Sequence, residues 1–243
     1  MRILASITTA LWLVGSTLHA AVVFVEPFDG PTTEGWSQFD LDVFGHSNTE
    51  GQPAGSLSGT INTPNAFVPT LGSFYANSGA SSAGFTGNYT DVNRNGVGQP
   101  FSFQFDFMAA TVIPGSLSLV LEGPGSTYFS FGFNLSGLSL NAWNTFQAPL
   151  EFDAAWWSGG TEGQFNTMLA SVQSVEIQFN TSGALTQTYY LDNVQLSTEI
   201  IDLSAVPEPV TAQLLFLSLA ALFLYRRKRR APQVETRTSG MTT

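Results

Sequence analysis

The 243-residue chain contains no cysteine. Disulfide staples, thiol nucleophiles, cysteine zinc sites and iron–sulfur clusters are therefore excluded, and a folded domain must rest on a hydrophobic core. Cations are scarce as well: 8 Lys and Arg stand against 18 Asp and Glu, a formal net charge of −10. Their placement says more than their number. From Ala21 to Ala205 the one Lys or Arg is Arg94, set against sixteen acidic residues, a formal −15 for that stretch. Such a domain has no basic footprint for nucleic acid. It is repelled by anionic lipid and acidic polysaccharide unless divalent cations bridge the two. Neutral glycans and calcium remain as possible partners. Histidine is limited to His19 and His46. A Ser–His–Asp site would have to use His46, with no nucleophile-elbow motif nearby, which argues against it.

Both ends carry apolar runs. Met1 to Ala20 has a positive start at Arg2, an apolar stretch from Ile3 to Val14 and small Ala20 at a cleavage position. These are the marks of a secretory signal peptide, with the cut expected after Ala20. Ile201 to Ala205 reads as a short linker. It leads to Val206-Pro207-Glu208-Pro209, an apolar run from Val210 to Tyr225, the basic cluster Arg226, Arg227, Lys228, Arg229 and Arg230, and a polar tail over 231–243 expected to be disordered. Pro207 and Pro209 keep the motif extended. Sixteen apolar residues give roughly 24 Å of helix, short for a bilayer core of about 30 Å unless Tyr225 and the basic stems snorkel. Five cations in a row stay cytoplasmic. Together these three parts resemble the PEP-CTERM sorting signal of Gram-negative bacteria. The resemblance implies a single transmembrane helix, an exosortase-type processing enzyme as partner, and passage through an inner-membrane-anchored intermediate to the cell surface or extracellular matrix.

The stretch 21–200 reads as one all-β domain. Phe101 to Phe107 sets Phe101, Phe103, Phe105 and Phe107 on one side and Ser102, Gln104 and Asp106 on the other. Leu117, Leu119 and Leu121 repeat the period, as do Phe129, Phe131 and Phe133. Val22–Phe28, Val172–Phe179 and Tyr189–Leu196 add further strands, and Trp36–Phe44 alternates as if it were one more. Period two with a single apolar face means half-buried antiparallel strands, and Gly/Pro punctuation such as Pro114-Gly115 turns them into a sandwich. One helix is expected after Thr161, with Phe165, Met168 and Leu169 on its buried side. The stretch from Gly45 to Gly98 is rich in Gly, Ser, Asn and Thr and reads as weak strands joined by long loops.

The opening Phe24-Val25-Glu26-Pro27-Phe28-Asp29-Gly30 with Trp36, and the closing Tyr190-Leu191-Asp192-Asn193-Val194-Gln195-Leu196, resemble the first and last strands of galactose-binding-like jelly rolls, which include carbohydrate-binding modules and laminin-type domains. The resemblance implies a jelly-roll β-sandwich with a structural calcium held by Glu26 and Asp192 where those strands pair.

Other motifs read more plainly. Asp91-Val92-Asn93-Arg94-Asn95-Gly96 matches half of an EF-hand loop, but Ser102 stands where the bidentate Glu belongs and Asn95-Gly96 is a tight-turn dipeptide, so a turn is expected. Trp156 and Trp157, flanked by Gly159-Gly160, are candidates to stack on a sugar. Adjacent strand residues point to opposite faces, so at most one of the two can do so. The carboxylate pairs Asp40/Asp42 and Glu151/Asp153 lie at period two, as a glycosidase could use, yet read as solvated faces. The sequence thus predicts an exported, non-enzymatic protein, first as a structural or adhesive matrix component. The alternatives are a carbohydrate-binding module for a neutral glycan and, behind it, a polysaccharide-degrading enzyme.

Overall fold

In the computed structural model the described residues are 21–51, 54–62, 70–77, 84–181 and 185–199. The signal peptide, linker, sorting motif, apolar run, basic cluster and polar tail lie outside them. Among the described residues no helix is long and apolar enough to cross a membrane.

Among the described residues twelve strands, one α-helix and a short 3-10 turn at Arg94–Gly96 build an all-β antiparallel sandwich of two six-stranded sheets. The first sheet runs β3 (Val43–Ser47), β4 (Ser56–Asn62), β12 (Thr186–Ser197), β6 (Ser102–Ala109), β9 (Asn144–Pro149), with β1 (Val22–Glu26) pairing the last half of β12. The second runs β10 (Trp157–Ser158), β8 (Thr127–Gly132), β7 (Ser116–Gly123), β11 (Ser174–Thr181), β5 (Thr70–Asn77), β2 (Ser37–Phe39).

Alternation decides which face each strand buries. Phe103, Phe105 and Phe107 of β6 meet Leu117, Leu119 and Leu121 of β7, Val175, Ile177 and Phe179 of β11, and Tyr189 and Leu191 of β12 in one core. Phe107 stands at its centre, its ring 5.6 Å from Tyr189, 5.9 Å from Phe179 and 6.4 Å from Phe146. Phe101 precedes β6 and escapes the pattern; it is 38% exposed.

The helix α1 (Glu162–Leu169) starts where the sequence places it. Thr161 accepts from the Gln164 N–H while the Gln164 side chain accepts from the Thr161 N–H, a reciprocal cap that satisfies two otherwise orphan donors. Phe165, Met168 and Leu169 are buried.

Trp36–Phe44 is not one strand. Asp40 takes φ 53° and the chain crosses from the second sheet to the first between β2 and β3. Asp40 and Asp42 therefore do not share a strand face; Asp42 accepts from the Asn62 N–H instead. Glu151 and Asp153 follow β9 in a turn, where Asp153 accepts from the Ala155 N–H, so they are not a strand pair either.

The weak-strand region holds two well-paired strands, β4 and β5. Glycine disguises them. A Cβ on Gly59 would fall 2.6 Å from Leu41 and 2.9 Å from the Phe74 ring, and one on Gly72 would fall 2.7 Å from both Ile61 and Phe179. These two positions let large rings fill the space a side chain would take. Gly59→Ala should cost about 1–3 kcal/mol of unfolding free energy through overpacking, read by denaturant titration.

Candidate functional site

The two outer faces differ in what their polar groups do. On the first sheet several are spent on one another. Asp106 accepts from Thr145 at 2.6 Å and from Asn193 at 2.9 Å, Gln147 donates to Gln104 at 2.5 Å, and Thr60 meets Thr188 at 3.1 Å. Its middle is bulky: Tyr190 faces Met108, which is buried, and Trp143 lies 6.5 Å from the Tyr190 ring.

The second sheet is low in the middle. Register places Ser158, Ser130, Val120, Glu176, Tyr75 and Ser37 in one row across all six strands. Beside it run Gly132, Ser118, Gln178, Ser73 and Phe39. These side chains alternate with the buried Leu, Ile and Phe of the same strands, so they face outward. Serine and glycine on β7, β8 and β10 leave a shallow floor. Phe39 is 52% exposed and Tyr75 half-buried at the β2/β5 edge, and Tyr128 is 50% exposed on β8. Between them Gln178 donates to Glu176 at 2.8 Å, joining a fixed amide to a carboxylate. Ser118 and Ser130 have no hydrogen-bond partner for their hydroxyls among the described residues. The Ser73 hydroxyl also has no partner among the described residues, but it is fully buried and so is not part of the exposed floor. An aromatic edge, unpaired hydroxyls and a single amide–carboxylate pair suit a ligand rich in hydroxyl groups and without charge: C–H faces pack on the rings and hydroxyls take up the polar groups.

Arg94, the domain's lone Lys/Arg cation, is not on either face. Its guanidinium donates to the carbonyls of Asn88 (2.9 Å), Gly84 (2.7 Å) and Thr86 (2.6 Å) and lies 4.9 Å from the Tyr89 ring centroid. It ties up the long connection before β6. The Asp91–Gly96 segment is the expected turn: Asp91 accepts from the Asn93 N–H, Asn95 and Gly96 take φ 52° and 72°, and the Asn95 amide donates to the Val23 carbonyl.

The two tryptophans divide as adjacent residues must, but neither stands in the open rows. Trp157 is 2% exposed, packs on Phe131 and Phe165 and donates its indole N–H to the Pro149 carbonyl, so this residue is core and no sugar platform. Trp156 is half-buried with one face stacked at 6.0 Å on Phe131.

Glu26 and Asp192 do not face each other across the β1–β12 pairing. Glu26 stands opposite Val194 and accepts from the Phe28 N–H; Asp192 stands opposite Asp106, fully buried, and accepts from the Asn193 N–H at a β-bulge. Among the described residues no group of three or more His, Asp or Glu could hold a metal. Burial pushes the Glu26 carboxyl up, and the charges of Glu34 and Asp29 add to the rise against the Phe28 hydrogen bond. A carboxyl raised on folding binds more protons folded than unfolded, so without a cation it lowers stability as pH climbs through its folded value. The Glu26 carboxylate could give a cation one or two oxygens at most, and backbone carbonyls would have to complete the six to eight that calcium needs.

No protein-family model matches the chain, and no curated protein matches it in sequence. Solved structures share its fold. Part of an exo-β-agarase matches at a TM-score of 0.50 and 10% identity, over 70% of this chain and 24% of that one. This chain therefore spans about a quarter of the agarase's length. The family 11 carbohydrate-binding module from Clostridium thermocellum matches at 0.43 and 9%, over 70% of this chain and 92% of the module. A carbohydrate-binding module that recognises mannan matches at 0.42 and 14%, over 74% and 98%. At these identities the likeness is one of fold: a two-sheet antiparallel β-sandwich of the jelly-roll kind.

Proposed function

We propose that the domain is a non-enzymatic carbohydrate-binding module that holds a neutral polysaccharide along the outer face of the second sheet. One observation carries this reading: a serine- and glycine-floored face on which the Ser118 and Ser130 hydroxyls have no partner among the described residues, edged by exposed Phe39 and half-buried Tyr75. On the opposite face Asp106, Gln104, Gln147, Thr60 and Thr188 are already paired with one another or with their neighbours. A fold shared with a segment of an exo-β-agarase and with carbohydrate-binding modules is in keeping with such a ligand. Asp40 and Asp42 lie at a chain corner and Glu151 and Asp153 in a turn, so the strand-face carboxylate pairs read from the sequence do not form.

Six strands about 4.8 Å apart span roughly 24 Å, room for about five sugar rings of ~5 Å each. A glycan array and affinity gels with the full-length chain should therefore retain an uncharged, unbranched polysaccharide. Oligomer affinity should rise up to about the pentamer and then level off. Retention of no neutral glycan, or affinity that peaks at a monosaccharide, contradicts the proposal.

Delivery follows from the sequence signals. The signal peptide exports the chain, the PEP-CTERM-like tail holds it in the inner membrane for an exosortase-type enzyme, and the glycan-binding domain ends at the cell surface or in the matrix, where it also serves adhesion. Mass spectrometry of the native protein should find Ala21 at the N-terminus and a C-terminus near Pro207–Pro209.

A structural calcium at the β1–β12 edge, with Glu26 as carboxylate ligand, belongs to the same proposal. Chelation should lower the melting temperature, calcium should restore it, and Glu26→Gln should erase the response. An unchanged melting temperature removes the ion.

A further inference from the structure

At one end of the sandwich the entry to β6, the exit from β9 and the helix α1 enclose a cleft of about 330 Å³. It is separate from the outer face of the second sheet. Phe101 lines it, exposed although its sequence phase matches the buried Phe103 and Phe105. Phe152 lines it too, its ring held at 6.2 Å from Phe129 and 5.6 Å from Phe165. Gln99, Asn166, Glu151 and Glu162 complete the polar lining. Among the described residues none of these four side chains has a hydrogen bond or ion pair within the chain, so four polar groups converge beside an open phenyl ring without partners of their own.

The pairing of two carboxylates with two amides and an aromatic face sets the ligand's chemistry. A hard divalent cation collects six to eight oxygens, and no third acidic or histidine side chain joins these two as a metal cluster. An ammonium group needs fewer acceptors, and charge-assisted bonds to carboxylate are about twice as strong as neutral ones. The domain's surplus of negative charge concentrates cations around it. We propose that the end cleft binds an amino sugar bearing a free ammonium group, as in a de-N-acetylated polysaccharide. The ring packs on Phe101, the ammonium lies between Glu151 and Glu162, and Gln99 and Asn166 take hydroxyls. With the neutral face of the second sheet, one domain then grips two kinds of chain.

Calorimetric titration of the full-length chain with a tetramer of 2-amino-2-deoxyglucose tests this, beside its fully N-acetylated counterpart. The free amine should bind at least about tenfold tighter than the N-acetylated form, and more weakly as salt rises. Glu151→Gln and Glu162→Gln should each weaken it about tenfold, with unchanged melting temperatures because both side chains are exposed. Tyr75→Ala, on the sheet face, should leave it untouched. Phe101→Ala gives a second route, removing the ring contact without altering charge. Equal affinity for the amine and acetamide forms overturns the proposal. So does binding that survives both Gln variants, or that Tyr75→Ala removes.

Discussion

Phe107→Ala should remove about 3–5 kcal/mol of unfolding free energy, the range for deleting a fully buried aromatic side chain. The site is a severe one. Phe107 is completely buried, and its ring touches Phe146 of its own sheet, Phe179 of the facing sheet and Tyr189 of the neighbouring strand. All three neighbours are rings, which relax poorly into a cavity. Domains of this size hold about 5–15 kcal/mol in all, so the variant should sit close to the threshold of folding. Equilibrium denaturation should show the midpoint falling with an unchanged slope. A loss below about 1 kcal/mol would mean that the two sheets do not close on this ring.

Arg94→Ala should be nearly as damaging, for a different reason. Its guanidinium satisfies three backbone carbonyls of one connection and caps the Tyr89 ring. Removing it strands those acceptors and frees the segment that also anchors β1 through Asn95 and Val23. Hydrogen bonds from a charged donor contribute about 1.5–3 kcal/mol, and a loss of about 3 kcal/mol shifts the melting temperature by roughly 6–12 °C at this chain length. Arg94→Lys should recover little, because an ammonium cannot reach three carbonyls in a planar fork. Full stability in Arg94→Lys would contradict the structural role.

The strands were legible where large apolar residues alternate. Phe103, Phe105 and Phe107, and Leu117, Leu119 and Leu121, announce both period and buried face, and Thr161 with Gln164 announces the helix start. The corner at Asp40 was hidden because alternation continues through it: Phe39 and Leu41 share a phase, yet across the positive φ at Asp40 Phe39 stays exposed on the second sheet while Leu41 is buried in the core before β3 begins. For the same reason Phe39, in phase with the apolar side of Trp36–Phe44, is an exposed ring on the second sheet. β4 and β5 were faint because Gly59 and Gly72 stand where a core side chain is expected, their volume supplied by Phe74, Leu41, Ile61 and Phe179. The tryptophan pair drew notice by type, yet the indole of Trp157 is drawn inward by the Pro149 carbonyl. The open face of the second sheet is written in serines, which carry little sequence signal singly. Only pairing brings Ser118 and Ser130 into line with Tyr75 and Phe39.

The most direct test is a calorimetric titration of the full-length chain with the best-retained neutral glycan, run on wild type, on Phe39→Ala/Tyr75→Ala and on Tyr190→Ala. If the second sheet carries the ligand, the double variant should lose about a hundredfold in affinity, roughly tenfold per aromatic anchor, while Tyr190→Ala binds like wild type and all three melt alike. Undiminished binding by the double variant, or its loss in Tyr190→Ala, would place the ligand elsewhere and contradict the account.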